Sequence, residues 1–166
     1  MKKKLDPKPL DRLTNRIPDD PNMQIYSAAD IVASTSEFIR ENFRGLAEVT
    51  NRVDSILPVK ISAEYFAYFI KLLLKYTKAR SFLSIDAKTA FGELVLTVTP
   101  DEKLPFSYEE FAYLAHSAKN AGFAVAFTET QFILKAKYVN LAPTMYVYTG
   151  RINILNQTFK NIFFTS

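Results

Sequence analysis

With 166 residues, no Cys, one His and four scattered Gly, the chain has no means to build a disulfide framework, a metal site of several Cys or His ligands, or a Gly-rich phosphate loop. Hydrophobic residues make up 48% and aromatics 14%, enough for one domain with a packed core, but no apolar run reaches the roughly 18 residues of a membrane span. The net charge of +4 belongs to the N-terminal segment: six of the 21 Lys and Arg and two of the 17 Asp and Glu fall within residues 1–17, leaving fifteen of each sign in the rest.

Residues 1–22 carry Pro7, Pro9, Pro18 and Pro21 among charges and read as a flexible basic leader, a solubilising linker. No apolar signal core follows it, so the expected location is the cytoplasm. Residues 23–26 predict a short strand. Ser27 then opens a helix, with Asp30 three residues on as an acidic capping partner. Ile31, Val32, Phe38, Ile39, Phe43 and Leu46 keep a helical period, and Gly45 is the expected C-terminal cap. Residues 46–53 read as a strand that Pro58 stops.

The next stretch, 61–100, predicts a helix over 62–78 and two strands, 81–88 and 93–100, turned at Gly92. Phe66, Phe69, Ile70, Leu73 and Tyr76 give the helix one broad apolar face. In the first strand Leu83, Ile85 and Ala87 alternate with Phe82, Ser84 and Asp86. A polar loop, 101–106, leads to Ser107, which caps a third helix over 108–121. Its expected inner face is Tyr108, Phe111, Leu114, Ala115 and Ala118, and Gly122 ends it. Residues 123–127 and 132–139 form a last hairpin. Beyond it, 145–149, 151–155 and 159–164 are rich in Tyr, Ile and Phe and read as added strands from about residue 143.

The segment Leu72-Leu73-Leu74-Lys75-Tyr76-Thr77 resembles the end of the Asn-containing helix, the N box, of the ATP-binding domain of sensor histidine kinases, the GHKL fold. That pattern runs N-L-L-x-N-A-x-K-Y-T, then two strands, then a D-x-G-x-G loop. The element order over about 23–139 matches as well. The resemblance implies an α+β, two-layer α/β sandwich of the GHKL (Bergerat) type: a mixed sheet, three helices on one face and extra C-terminal strands. The domain would cover 23–166.

The resemblance also tests the site. The magnesium-holding Asn falls on Leu72 and the upstream Asn on Tyr68, one helical turn apart. Leu72 offers no oxygen ligand to a hard cation, and the face it shares with Tyr68 would present an apolar patch where triphosphate and metal should lie. Pro100-Asp101-Glu102-Lys103-Leu104 replaces D-x-G-x-G without either Gly, and the second Gly loop and the lid are missing. A triphosphate at such a site would keep its charge uncompensated. Glu109 and Glu110 would repel phosphate at the start of the third helix but suit its dipole. His116 lies about 140° around that helix from Phe111, on the outer face with Glu109, Ala112 and Lys119. The acidic pairs are sequence neighbours that point apart, so none is a natural dyad.

The reading is therefore a catalytically inactive histidine-kinase-like domain, a pseudo-ATPase without cofactor or metal, acting as a signalling or protein-interaction module of a two-component system. Expected partners are a histidine kinase or response regulator, and a second copy of the chain through the edge of the added strands. The folded part has no basic excess, so nucleic acid is not an expected partner. The expected interaction patch is Tyr68, Leu72 and Tyr76. The alternative is a divergent, ATP-dependent histidine kinase domain that binds ATP and Mg through Lys75, Tyr76 and Asp101.

Overall fold

A computed structural model describes residues 23–54, 56–77, 81–101, 106–140, 148 and 150–164. The basic leader therefore lies outside the described residues, as do residues 102–105 of the polar loop and, apart from buried Tyr148, the expected strand over 145–149.

The described chain runs β1 (Met23–Ser27), α1 (Ala28–Asn42), β2 (Ala47–Asn51), β3 (Pro58–Ser62), α2 (Ala63–Thr77), β4 (Leu83–Ala90), β5 (Glu93–Pro100), α3 (Tyr108–Ala121), β6 (Ala124–Phe127), β7 (Phe132–Lys137) and α4 (Ile152–Phe164). Five strands form one mixed sheet in the order β2-β4-β5-β7-β6, in which only β2 and β4 run parallel. A parallel pair needs a long crossover, and β3 with α2 supplies it. β1 and β3 pair separately, and a bridge between Val59 and Tyr138 ties them to the end of β7.

Period-2 alternation sets the sheet's inner face. Leu83, Ile85 and Ala87 of β4 are buried while Ser84 and Lys88 are exposed. Against that face lie Ile31, Val32 and Thr35 of α1 and Phe66, Phe69 and Ile70 of α2, and a gap of only about 10 Å³ separates them from Ile85, Ala87, Leu96 and Leu134. That is room for one water at most. Phe106, Phe111, Phe127 and Phe132 interlock where α3 meets β6 and β7.

The caps are largely as the sequence predicts. Ser27 accepts from the Asp30 amide at 3.0 Å. Ser107 and Glu110 form a reciprocal capping box, with bonds of 3.1 and 2.9 Å. Gly122 ends α3 with φ 110°, and a Cβ there would meet the Lys60 carbonyl oxygen at 3.0 Å.

Four expectations need correction. Gly45 is not the cap of α1: Phe43 ends that helix, donating its amide to the Ile39 carbonyl at 2.7 Å, and Gly45 has no positive φ. Pro58 does not stop a strand but opens β3, since a first residue needs no ladder donor. Tyr108 is 94% exposed rather than part of the inner face of α3. The extra C-terminal strands are, over 152–164, the helix α4.

The aromatic, β-branched composition of this last segment favours strand, but Leu155, Phe159 and Phe163 stand four apart. Burying that stripe wins. Phe159 and Phe163 meet Phe38 at 5.0 and 4.7 Å, and Phe159 meets Phe66 at 6.2 Å. α4 thus packs on α1 and α2 as a fourth helix, and the expected dimer edge does not exist in this segment.

Candidate functional site

The candidate site is built on α2. Ser62, the last residue of β3, caps its start by accepting from the Tyr65 amide at 3.2 Å. Thirteen of the fifteen helix residues are buried; only Glu64 and Lys75 are not. A helix apolar all round must be covered on more than one side. Here the sheet, α3 and α4 do it.

That burial settles where the sequence-predicted residues stand. Tyr68 and Leu72 are 4% and 0% exposed, and Tyr76 is 5% exposed. The expected interaction patch Tyr68, Leu72 and Tyr76 is therefore core, not surface. Leu72 presents only carbon at the position where a metal would need oxygen. Tyr76 lies beside α3. Burial pushes its phenol well above the ordinary tyrosine range, and Glu110, Tyr113 and Glu109 add to the shift. Thr77 spends its hydroxyl inside its own helix, on the Leu73 carbonyl at 2.7 Å.

Asp101 follows the last residue of β5. It accepts from the Ser81 hydroxyl at 2.9 Å and from the Phe82 amide at 2.8 Å. The Ser81 bond first, then the Phe82 amide, holds its carboxyl below the usual carboxylate range. Ser81 is only four residues beyond α2, at most about 14 Å of extended chain. Asp101 therefore stands at the same end of the molecule as Lys75, Tyr76 and Thr77. Its bonds tie the start of β4 to the end of β5, at the open end of the hairpin.

At the N-terminus of α3 the Ser107 amide is taken by the Glu110 carboxylate and the Glu110 amide by the Ser107 hydroxyl. His116 is exposed, as expected, with Glu109, Ala112 and Lys119, and its Nε2 lies 3.1 Å from the Asn120 amide nitrogen. Among the described residues no three His, Asp or Glu side chains gather as metal donors.

Sequence reasoning missed Lys71. It is 7% exposed and donates to the Ile162 carbonyl at 2.7 Å, in the last turn of α4. A lysine there satisfies an orphan carbonyl and suits the helix dipole. Burial, then the neighbouring Lys75, lowers its pKa. The signal was a lysine flanked by apolar residues, Phe69-Ile70 before it and Leu72-Leu73-Leu74 after it. At the other end of α4, Arg151 donates to the Ile25 carbonyl at 3.1 Å and the Gly150 amide to Asp30 at 3.1 Å, while Ser34 meets Asn156 at 2.5 Å.

Comparison with solved structures decides the fold. The histidine kinase AdeS of Acinetobacter baumannii superposes over 80% of this chain and 75% of its own, with a TM-score of 0.52 and 12% identity. The chain has the histidine kinase ATP-binding fold. The ATP-binding domain of PrrB from Mycobacterium tuberculosis also matches, over 71% of this chain and 98% of that one, with a TM-score of 0.50 and 6% identity. No protein-family model and no curated protein sequence matches the chain. Identities this low show the histidine kinase fold alone. No helix among the described residues is long and apolar enough to cross a membrane.

Proposed function

We propose that this is a histidine-kinase-like domain that has lost nucleotide chemistry and serves two-component signalling as a protein-interaction module. A histidine kinase or a response regulator is the partner class that the fold suggests. The observation that carries the reading is the N-box helix itself. Leu72 and Tyr68 occupy the two Asn positions, and both are sealed in the core. The bonds of Asp101 to Ser81 and Phe82, and the carboxylates beside Tyr76, support the same reading.

Docking by this module uses a surface other than Tyr68, Leu72 and Tyr76, because side chains this buried are not available to a partner. Isothermal calorimetry with ATP and magnesium tests the loss of nucleotide chemistry. The expected result is no saturable heat at millimolar ligand. A one-site isotherm that Asp101→Ala or Lys75→Ala weakens would overturn the reading and restore an ATP-dependent kinase domain.

A further inference from the structure

The β4–β5 hairpin turns through Phe91 and Gly92, with φ of 54° and 74°. Two positive φ values mark a type I′ turn, where Asn or Asp before Gly is the unstrained choice. Phe91 is the only non-glycine residue with positive φ among those described, and its ring is fully exposed, at 101%. The fold gains nothing from the ring and bears the backbone strain. An aromatic held this way is available to something outside the chain.

The sheet face behind the tip shows what. In register, the last rank is Ala90, Glu93 and Lys137; the rank behind it is Lys88, Val95, Lys135 and Ala124. All of these lie on the sheet's open face, opposite to Ala87, Leu94, Leu96 and Ala136. Lys88, Lys135 and Lys137 are exposed and make no ion pair among the described residues. Glu93 is the one carboxylate in the two ranks. Asp86, one rank further back, is held by Arg52 at 2.7 and 3.0 Å.

We propose that this end of the sheet docks on an anionic membrane surface, with Phe91 entering the interfacial layer and Lys88, Lys135 and Lys137 meeting acidic headgroups. The charge is complementary, and an aromatic tip above a basic patch is the composition of interfacial anchors. A protein partner fits less well. Lysine is depleted at protein interfaces, and one ring on a narrow tip needs a preformed pocket where a fluid layer needs none.

The test uses the 166-residue chain, its N-terminal lysines unchanged, in co-sedimentation with vesicles of phosphatidylcholine alone and with phosphatidylglycerol added. Binding is expected only with the anionic lipid, and it falls as salt rises. Phe91→Asn suits the left-handed turn, so it keeps or raises Tm while lowering partitioning about tenfold. Each Lys→Gln change at 88, 135 or 137 lowers it about fivefold, and Glu93→Gln raises it. The proposal is overturned if the chain ignores anionic vesicles, or if it binds them equally well with Phe91 and the three lysines replaced. It is equally overturned if Phe91→Asn leaves partitioning unchanged and instead abolishes self-association in ultracentrifugation, which would make the tip a protein contact.

Discussion

Single residues of this molecule show how burial redirects chemistry. Lys71 is held in the core by one carbonyl, and its pKa is lowered from 10.5. In the window between that lowered value and 10.5, the unfolded chain binds the proton more tightly than the folded one. Protonation there favours unfolding, so this group's contribution to stability improves as pH rises toward 10.5 and is lost as pH falls. Lys71→Met should flatten that part of the curve, which denaturant melts at neutral and alkaline pH compare directly. Asp101 has the same sign in an acid window: its carboxyl is stabilised as the anion, so the stability its bonds to Ser81 and Phe82 supply is present above 3.8 and is lost as acid protonates it. Asp101→Ala should speed hydrogen exchange at the Phe82 amide while leaving mid-sheet amides protected. Ser117 is a third case. It is fully buried, and its hydroxyl bonds to nothing among the described residues. Ser117→Ala should therefore leave stability unchanged or raise it by up to about 1 kcal/mol, read from urea midpoints.

The elements were legible in the sequence wherever local signals agreed. Ser107 with Glu110, Gly122, and the alternation through Leu83, Ile85 and Ala87 each state their structure within a few residues. The misses share one cause, which is contact with a distant segment. β3 is five residues long and becomes a strand by pairing with β1, some thirty-five residues away. α4 has the composition of a strand and the spacing of a helix, and the groove formed by α1 and α2 selects the spacing. Phe159→Ala should cost roughly 3–5 kcal/mol by emptying the ring cluster around Phe38 and Phe66. Lys160→Ala, on the exposed side of the same helix, should cost less than about 0.5 kcal/mol. Gly122→Ala should cost more than about 1 kcal/mol, because both its φ and the nearby Lys60 carbonyl oppose a side chain.

For the whole molecule the consequence is a kinase-type fold whose central helix has become interior. α2 is covered by the sheet, α3 and α4 together, so its side chains are spent on packing. A ligand that binds only the folded state raises Tm, by an amount set by RT ln(1 + [L]/Kd). Magnesium and ATP at millimolar concentration should leave the melting curve of this chain unmoved. Leu72→Asn, which restores the family residue type, should not restore nucleotide binding. It should instead cost about 2–4 kcal/mol, because an amide is placed in a site packed for Leu.

The sequence alone determined the α+β class, the order of the first three helices and the hairpins, and the N-box likeness around Lys75, Tyr76 and Thr77, with Tyr68 and Leu72 at its two Asn positions. These are properties of spacing and residue type, and both are local. Only the tertiary structure decided that residues 152–164 are a helix, that the apolar patch on α2 is core, that Lys71 caps a helix ninety residues away, and that Phe91 stands clear of everything. Each of those depends on which distant surfaces meet, and free energy of burial is assigned by that meeting rather than by any stretch of chain taken by itself.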